Sequence, residues 1–261
     1  MICVLGDAHL DVIVSARGAL AVETDTPACT SVGAGGQAAN VAAWVAALGG
    51  AARLIAARGT DLAAQLVAGE LGRRGVELAG PVIEGRTGVV VSLAGAAGRS
   101  MLTDRGIGPR LAAGLLDRTW LDGCDWLHLP AYSLVAEPVQ GAALAAAELV
   151  PRLSVDLSST AALRGYGVGR FRDLIERLHP NVVLGNEAEA ALVGELPGTE
   201  LVVKLGPRGV RAGGTVFAAL PTEPVDSTGA GDAFAAGYLL GGVTLGLQAA
   251  ARAVATMGAM P

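Results

Sequence analysis

Short apolar runs alternate with longer stretches rich in alanine and leucine along most of the chain. The apolar runs have little polar alternation, which is typical of strands that are buried on both faces of a sheet. The longer stretches have the length and composition of helices that cover such a sheet. The pattern predicts strands at Ile2–Leu5, Arg53–Ala57, Trp126–Leu129, Leu153–Asp156, Val182–Leu184 and Leu201–Lys204, and helices at Gln37–Ala47, Leu62–Arg74, Pro138–Leu149, Glu187–Leu192 and Gly231–Leu240.

Two further segments resemble strands that have no crossover helix between them. One begins at Val12–Ser15 and continues towards Ser31, and the other joins Thr87–Leu93 to Arg99–Thr103. Strands connected in this way pair with each other, so we expect a small accessory sheet within residues 12–31 and 87–103. Because the chain has no long linker, repeat or low-complexity tail, we predict a single α/β domain over residues 1–261 with this sheet as a lid.

The composition agrees with layers that are buried on both sides. Of the 261 residues, 52% are hydrophobic, 16% are charged and only 3% are aromatic, so alanine, leucine and valine must fill the interior. Lysine and arginine number 19 against 24 acidic residues, and the formal net charge of -5 predicts no nucleic-acid partner. A small anionic substrate would therefore need a local pocket of basic or N–H groups.

The cysteines, the histidines and the N-terminal residues argue against a disulfide framework, a structural zinc site and a signal peptide. The three cysteines and three histidines are scattered without a C-x-x-C or H-x-x-x-H pair, which favours reduced thiols and argues against a structural zinc site. The N-terminus reaches Asp7 without a basic segment and is predicted to be a strand rather than a signal peptide. We therefore expect a cytoplasmic protein.

The uncharged segment Ala233–Ala251 approaches the length of a membrane-spanning helix. Several glycines and two polar residues argue against a span, and Gly241 and Gly242 lie side by side near its middle. We expect two buried helices that are separated at this glycine pair, and no membrane partner.

The stretch Asp226–Asp232, D-S-T-G-A-G-D, combines a tight glycine turn with an acid at the start of a predicted helix. The first N–H groups of a helix bind anions because they lack internal partners and the helix dipole favours negative charge. A carboxylate at the same place would repel a phosphate that is merely bound. The combination suits phosphoryl transfer, in which N–H groups hold the moving phosphoryl group and the acid accepts a hydroxyl proton.

A second glycine-rich stretch, V-G-A-G-G-Q-A-A-N-V-A over residues 32–42, is open to two interpretations. Its G-x-G-x-x-A pattern, which contains Gly33 and Gly35, satisfies the loose dinucleotide fingerprint, and Arg58 or Asp61 lies near the expected ribose position. An NAD(P)-dependent oxidoreductase is therefore one alternative. Against it, the preceding residues 25–31 include a proline and make a poor core strand.

The same stretch also contains G-G-x-x-x-N-x-A, and the two stretches together resemble the two signatures of the ribokinase-like (PfkB) sugar kinase family in their usual order. The first signature has Gly35, Gly36 and Asn40 in register. The resemblance implies that these residues line the sugar site, where glycines let the backbone approach hydroxyls and asparagine offers both a donor and an acceptor.

The second signature implies that Asp232 is the catalytic base and that the N–H groups of Gly229, Ala230 and Gly231 stabilise charge on the transferring phosphoryl group. The resemblance covers nearly the whole chain. It implies a ribokinase-like α/β fold, in which a Rossmann-like and mostly parallel sheet is covered by helices and carries a small β-sheet lid.

Shorter matches extend the resemblance to other functional groups. The family's G-x-x-x-x-D implies that Asp11 accepts hydrogen bonds from sugar hydroxyls, whereas His9 is expected to be structural or to support the site. The family's N-x-x-E implies that Asn186 and Glu189 organise magnesium, often through waters. The family's strand followed by G-x-x-G, together with the glycine turn, assigns the nucleotide to Lys204, Gly206, Gly209 and Thr228. No G-x-x-x-x-G-K-[ST] is present, which excludes a Walker-type loop.

The chain departs from the family pattern at several places. Residues 104–108 lack the Ala-Asn that often follows the glycine there, and residues 156–159 lack the usual D-x-N-x-R. The family's region after the catalytic helix normally helps to enclose the adenine and holds a monovalent cation near Asp226. The chain ends at Pro261 and is shorter than typical members.

We therefore expect an ATP- and Mg²⁺-dependent kinase that phosphorylates a hydroxyl of a small sugar or related compound. The same motifs also allow a non-catalytic sugar-sensing relative or a nucleoside kinase of the same family. The lid segments contain no Phe, Tyr or Trp, which favours a hydroxyl-rich sugar over a nucleobase. Arg99 and Arg105 could pair with a carboxylate or phosphate on the substrate. A homodimer through the lid is a further expectation.

Overall fold

The computed structural model describes residues 1–95 and 98–261. Within these residues, thirteen strands, numbered in chain order, form two sheets. The larger sheet has the order β13-β12-β11-β10-β9-β8-β1-β4-β5. Its strands are β1 (Ile2–Leu5), β4 (Ala52–Ile55), β5 (Val76–Ala79), β8 (Trp126–Pro130), β9 (Leu153–Asp156), β10 (Val182–Asn186), β11 (Glu200–Lys204), β12 (Val210–Ala212) and β13 (Thr215–Phe217).

All pairings from β5 across to β11 are parallel, and only β12 and β13 add an antiparallel extension at one edge. This arrangement confirms the predicted mostly parallel sheet. Because the strands run in the same direction, the residues that follow them lie along one edge of the sheet, where open α/β folds bind their ligands.

Helices cover both faces of the larger sheet. Alternate residues of β1 show the two layers directly: Ile2 and Val4 belong to one buried cluster, whereas Cys3 and Leu5 belong to another. A strand buried on both faces has no polar side, which explains its uninterrupted apolar sequence. The helices are α1 (Gln37–Ala47), α2 (Leu62–Arg73), α3 (Val139–Ala147), α4 (Thr160–Tyr166), α5 (Val168–Leu178), α6 (Glu187–Val193) and α7 (Ala230–Val254).

Helix α7 is interrupted at its centre. Gly241 and Gly242 have non-helical backbone angles, so the element consists of two helical segments, as the sequence predicts. By length and composition alone it could cross a membrane, although 44% of its most apolar window is buried inside the protein. Its first half packs against α1 through fully buried alanines and Phe234, which is how a core helix of an α/β layer packs.

The smaller sheet is the lid. Its strands are β2 (His9–Ala16), β3 (Ala28–Gly35), β6 (Thr87–Gly95) and β7 (Gly98–Gly106), in the order β3-β2-β6-β7. The β2–β3 and β6–β7 pairs are antiparallel, and the central β2–β6 pair is parallel. The predicted accessory sheet is confirmed, and its strands extend a few residues beyond the predicted limits.

Several elements were not predicted from the sequence, namely β5, β12, β13, α4 and α5. Helix α5 had a usable signal, because its buried residues Phe171, Leu174 and Ile175 recur at helical spacing between charged positions. The short strands β12 and β13 have only three residues each, too few for a hydrophobic period to be recognised.

Candidate active site

The predicted site residues come together at the carboxyl edge of the larger sheet. Strand β9 ends at Asp156, β10 ends at Asn186 and β11 ends at Lys204, while Asp7 follows β1. The N-termini of α1 and α7 point to the same edge, since Asn40 of α1 contacts Asp232 of α7. Residues from distant parts of the chain therefore surround one region.

Asp232 lies in the first turn of α7, and its carboxylate is held by an amide. The Asn40 Nδ2 group donates a hydrogen bond of 2.8 Å to Asp232 Oδ2. Burial raises the pKa of Asp232 to about 7, and the negative charge of Asp156 acts in the same direction, while the Asn40 hydrogen bond and Lys204 oppose the shift. A carboxylate with this pKa can accept a proton near neutral pH.

The two glycines of the turn before Asp232 are closely surrounded by other groups. Gly229 has φ 74°, and a Cβ atom at this position would lie 2.3 Å from the Ala259 carbonyl oxygen. At Gly231 a Cβ atom would lie 3.2 Å from Lys204 Nζ. Glycine is required at Gly229 by both the backbone angle and the close approach of the C-terminal segment.

The N–H groups of this turn are only partly used by the helix. Ala230 N–H makes a long contact of 3.3 Å with the Ser227 carbonyl, and a helical bond of normal length first occurs from Ala233 N–H to the Gly229 carbonyl, at 2.8 Å. This is the arrangement in which a helix N-terminus binds an anion.

Asp226 fixes the turn from the other side. Its Oδ1 accepts hydrogen bonds from Thr228 N–H and Thr228 Oγ1 at 2.9 and 2.6 Å, and its Oδ2 accepts one from Gly258 N–H at 3.1 Å. The Ala259 carbonyl in turn accepts a bond from Trp44 Nε1 at 2.9 Å. The C-terminal segment is thus bound both to the turn and to α1.

Lys204 forms a buried ion pair beneath the turn. Its Nζ lies 2.7 Å from Asp156 Oδ2, and the Asp156 side chain is only 2% exposed. Burial opposes the charge on both groups, but their mutual attraction and hydrogen bond outweigh it, so the pKa of Asp156 is lowered and that of Lys204 is raised. The sequence motif assigned Lys204 to the nucleotide and did not indicate its pairing with Asp156.

His128 lies behind this ion pair and is fully buried. Its Nδ1 is 2.8 Å from Ser154 Oγ. Burial and the Lys204 charge lower the pKa of His128 to about 4, so the ring is neutral at physiological pH. It is a core histidine that packs beside the pair without adding charge to it.

Asn186 and Glu189 form a capping box at the start of α6. Glu189 N–H donates to Asn186 Oδ1, and Asn186 N–H donates to Glu189 Oε2, both at 2.9 Å. Burial and the nearby Asp156 raise the pKa of Glu189. The described residues contain no group of three or more acidic, histidine or cysteine ligands suitable for a metal. The assignment of these two residues to magnesium stays a prediction.

The predicted acceptor residues lie where the lid joins the large sheet. Asp11 of β2 packs against Gly35 of β3 so closely that a Cβ atom at Gly35 would lie 2.2 Å from the Asp11 carboxyl carbon. Gly36 has φ 108° and is covered by the Asp7 carbonyl, and the Asp7 carboxylate accepts a bond from Ala38 N–H at 3.1 Å. The signature glycines thus bring two carboxylates against the start of α1.

His9 bridges these two carboxylates. Its Nε2 is 3.0 Å from Asp11 and its Nδ1 is 3.6 Å from Asp7. Burial disfavours the imidazolium, but the Asp11 hydrogen bond and the charge of Asp7 outweigh it and raise the pKa of His9. Asp7, His9 and Asp11 lie at alternate positions of one short stretch, in which the sequence singled out Asp11 as a sugar ligand and expected His9 to be structural or to support the site.

Two buried polar atoms at the start of α1 have no hydrogen-bond partner among the described residues. They are Asn40 Oδ1 and Gln37 Oε1. Buried polar atoms are normally paired, so such atoms beside a carboxylate are suited to a ligand that donates hydrogen bonds. Hydroxyl groups are donors of this kind. Gln37 was not predicted from the sequence.

The glycines predicted to contact the nucleotide differ in their surroundings. Gly206 and Gly209 flank a tight turn between β11 and β12. A Cβ atom at Gly209 would lie 1.9 Å from the Phe217 carbonyl, whereas nothing lies within 4 Å of a Cβ at Gly206. The need for glycine at Gly209 is therefore explained by packing against β13. Gly206 is open, and nucleotide contact by either residue stays a prediction.

Arg105 lines a small cavity of about 30 Å³ together with Asp7, His9 and Tyr132. Its guanidinium carbon lies 4.3 Å from the centre of the Tyr132 ring. Arg105 therefore lies beside residues of the predicted acceptor region, and its pairing with a carboxylate or phosphate of the substrate stays a prediction. The Arg99 side chain lies outside the described part of the structure.

The glycines of the dinucleotide fingerprint lie in the wrong kind of element for that function. Gly33 and Gly35 belong to β3, an antiparallel strand of the lid, rather than to a turn after a parallel strand. A dinucleotide site requires the turn between a parallel strand and its helix. The oxidoreductase alternative therefore has no structural basis in these residues.

Comparison with known proteins agrees with this geometry. Residues 1–260 match the pfkB family of carbohydrate kinases. A fructokinase from Klebsiella pneumoniae is 30% identical over 92% of this chain and 83% of its own length.

Solved structures with a similar fold include adenosine kinase from Sinorhizobium meliloti, with a TM-score of 0.86 and 21% identity over 100% of this chain and 95% of that one. Ribokinase from Thermotoga maritima has a TM-score of 0.81 and 22% identity, covering 100% and 96%. An uncharacterised sugar kinase from Pyrococcus horikoshii, solved in complex with ATP, has a TM-score of 0.84 and 21% identity, covering 100% and 95%. The match over almost the entire chain shows that this protein belongs to the pfkB family of carbohydrate kinases.

Proposed function

We propose that this protein transfers the γ-phosphoryl group of ATP to a hydroxyl of a small sugar, with Asp232 as the general base. One observation carries the proposal. Asp232, whose pKa is raised to about 7, lies at the N-terminus of α7 directly after a glycine turn and is oriented by the Asn40 amide. A base, an anion-binding turn and an orienting group are thus adjacent.

The proposed transfer involves the acceptor hydroxyl, the Asp232 carboxylate, the N–H groups of the glycine turn and Lys204. The acceptor hydroxyl loses its proton to Asp232 as its oxygen forms a bond to the γ-phosphorus, and the bond from that phosphorus to the bridging oxygen of ADP breaks. The N–H groups of Gly229, Ala230 and Gly231 stabilise the charge on the phosphoryl oxygens. Lys204, which Asp156 holds against Gly231, adds a fixed positive charge beneath them.

The charge balance of the site fits a divalent cation. Lys204 interacts electrostatically with three carboxylates, those of Asp156, Asp232 and Glu189, so the acidic groups outnumber this ammonium group. Magnesium supplies the neutralisation of the phosphates when it is bound with ATP, and it usually keeps several waters. The role of Asn186 and Glu189 would be to orient such waters. A monovalent cation near Asp226 would add a second positive ion, next to the glycine turn.

The acceptor end supports a hydroxyl-rich substrate. Asp7, Asp11 and the unpartnered Asn40 Oδ1 are hydrogen-bond acceptors that line one region. Hydroxyl donors satisfy such atoms, and a nucleobase would instead require a stacking surface. The lid above them would exclude water during transfer. A fructokinase as a relative points to the same substrate class.

Exposed residues of the lid bear on the oligomeric state, and the cysteines bear on the cellular compartment. Val32, Met101 and Leu102 are exposed apolar residues of the lid strands, at 59%, 61% and 56% exposure. Val32 and Leu102 lie in one cross-strand row with Val12 and Val91, and therefore on one face of the lid sheet, whereas Met101 faces the other side. An apolar row of this kind favours contact with a second copy, which supports a homodimer through the lid. Free, unpaired cysteines support a reducing compartment, hence the cytoplasm.

An ADP-release assay tests the function. The purified protein is incubated with MgATP and a panel of ketohexoses, aldopentoses, sugar acids and nucleosides, with product phosphorylation checked by mass spectrometry. We expect turnover with at least one sugar or sugar acid and thermal stabilisation by MgATP but not by NADPH. Stabilisation by NADPH alone, or MgATP binding without turnover of any acceptor, would contradict the proposal.

A further inference from the structure

A second and larger cavity adjoins the acceptor region. It has a volume of about 340 Å³ and is lined by residues of β7, α4 and α5 and of the segment after β8. It shares Arg105, Tyr132 and Ala136 with the small cavity that contains Asp7 and His9. A molecule held by the acceptor residues can therefore extend into it past Arg105.

Two arginines enter this cavity, and each is stacked on a tyrosine. The guanidinium carbon of Arg105 lies 4.3 Å from the centre of the Tyr132 ring, and that of Arg170 lies 4.2 Å from the centre of the Tyr166 ring. Stacking on an aromatic face fixes the plane of a guanidinium group and leaves its N–H edges free to bind a ligand. Tyr166 is itself held, because its hydroxyl accepts a bond of 2.7 Å from Gln140 Nε2.

The cavity is positively charged in an otherwise acidic protein. No aspartate or glutamate is among its lining residues, and in the described residues neither Arg105 nor Arg170 has a carboxylate within ion-pair distance. Other arginines of the chain do have such partners, for example Arg53 with Glu77 and Arg74 with Glu70. Two arginines that line one cavity without a counter-charge form a site for an anion.

The position of Arg105 links this cavity to the reacting end. Its charge acts on His9, which bridges Asp7 and Asp11, and on Tyr132. Asp7 and His9 line the small cavity with Arg105, Asp7 accepts a bond from α1, and Asn40 of α1 binds Asp232, so contacts run from the arginines through the acceptor residues to Asp232. A substrate with a hydroxyl at one end and an anionic group at the other would match this order of groups.

We propose that the cavity lined by Arg105 and Arg170 binds the anionic group of the acceptor, a carboxylate or a phosphate ester, at the end opposite the hydroxyl that is phosphorylated. The substrate class is thus an acidic sugar rather than a neutral one. This inference rests on the proposed function, since it names the acceptor of the same site. Neither Arg170 nor Tyr166 belongs to any motif recognised in the sequence.

The test compares acceptors and arginine variants. For the wild-type protein, kcat/KM is measured with a neutral ketohexose, a sugar acid and a sugar monophosphate of similar length. We expect an acidic acceptor to be preferred, and the better of the two acids identifies the anion. In Arg170→Gln the ratio of kcat/KM for the acidic over the neutral acceptor should fall about 10- to 100-fold, the range for losing one charge-assisted hydrogen-bonded contact.

A matched control is available on the same helix. Arg177 lies in the last turn of α5 and does not line the cavity, so Arg177→Gln should keep the wild-type ratio. If Arg170→Gln and Arg177→Gln give the same ratio as the wild type, or if the neutral acceptor is preferred by all three proteins, the proposal is wrong.

A binding experiment separates this inference from the kinase proposal. Calorimetric titration of the whole chain with gluconate and with inorganic phosphate, without ATP, should give binding by the wild type that Arg170→Gln weakens and Arg177→Gln does not. Absence of ATP-dependent turnover with every acceptor would count against the kinase proposal but leaves this titration informative. Absence of anion binding together with normal turnover of neutral sugars would overturn only the anion site.

Discussion

The two ends of the site are built in opposite ways. Around Asp232 the groups are close-packed: an amide holds the carboxylate, an ion pair lies beneath the turn, and Gly229 has no space for a Cβ atom. Around Arg105 and Arg170 the groups are exposed, stacked on tyrosines and separated by an open cavity. A close-packed end tolerates little change, whereas an open end can change its ligand without disturbing the chemistry.

Two carboxylates within the close-packed end show that the partner of a carboxylate decides the direction of its pKa shift. Burial opposes ionisation of both Asp156 and Asp232. Asp156 has an ammonium group 2.7 Å away, and its pKa is lowered. Among the described residues, the group at a similar distance from Asp232 is the neutral Asn40 amide, and the pKa of Asp232 is raised to about 7. The same residue type thus becomes a structural anion in one place and a candidate base in the other.

The largest effect is expected from Asp232→Asn. The change keeps the size of the side chain and removes the proton acceptor, so kcat should fall by about two to four orders of magnitude, the range for loss of a general base. The measurement is ADP release with the best acceptor. Asp173→Asn on α5, an exposed position, is the matched control. Near-normal turnover in a folded Asp232→Asn protein would exclude this residue as the base.

Gly229→Ala should have the next largest effect. An added Cβ would collide with the Ala259 carbonyl in a left-handed backbone position, displacing the turn, and turnover should fall about 100-fold, as for loss of an oxyanion donor. Gly214→Ala is a close control because Gly214 also has positive φ, 78°, but nothing lies within 4 Å. Equal losses of turnover in the two variants would show that backbone strain alone, rather than the turn, is responsible.

Lys204→Met breaks the buried pair and should affect stability and activity together. Leaving Asp156 buried without its partner should lower the free energy of unfolding by about 3 kcal/mol, and the double variant Lys204→Met/Asp156→Asn should recover most of it. Because the Lys204 charge lowers the pKa of Asp232, turnover in the double variant tests catalysis separately. Chemical denaturation measures the first effect, and wild-type kcat in the double variant would exclude Lys204 from the reaction.

Asp11→Ala should act on the acceptor end alone. Loss of its hydrogen bonds should raise the KM for the sugar about tenfold and leave the KM for ATP within about twofold, since a hydrogen bond to a charged group contributes about 1.5 to 3 kcal/mol. Asp25→Ala, at an exposed position between β2 and β3, is the control. A parallel rise of both KM values would mean that Asp11 supports the fold instead of contacting the sugar.

The smallest expected effect is a shift in the pH dependence of turnover on replacement of Asp156. A base must be deprotonated to act, so kcat/KM of the wild type should rise about tenfold per pH unit below pH 7 and level off above it, given that the pKa of Asp232 is raised to about 7. Asp156→Asn removes a negative neighbour and should move this limb to lower pH by a fraction of a unit. A limb near the ordinary aspartate pKa in the wild type would show that Asp232 is not desolvated.

The buried pair of Lys204 and Asp156 should also make the free energy of unfolding depend on pH. The pKa of Asp156 is lowered by folding, so its contribution is present above the ordinary aspartate pKa and is lost as the pH falls through the acid range. The double variant Lys204→Met/Asp156→Asn should lack this acid-dependent component. Urea denaturation at several acidic pH values would measure the difference.

Many elements and the local motifs of this protein could be predicted from the sequence. Apolar runs predicted six strands of the parallel sheet but not β5, whose four residues include the charged Glu77, and the Gly241-Gly242 pair predicted the break in α7. The glycine turn before Asp232 was also evident, because backbone angles and the first N–H groups of a helix depend on neighbouring residues only. Such features are determined within a few positions of the chain.

Contacts between distant positions depend instead on the three-dimensional packing. Asn40 lies 192 residues before Asp232, and Lys204 reaches Asp156 across the end of β10, so both contacts require the order of strands and the packing of α1 against α7. Arg105 and Arg170 likewise meet at one cavity from different elements. A periodic pattern indicates that a residue is buried, but it does not indicate which residues lie beside it. The pKa of a side chain and the ligand that it binds depend on those neighbours.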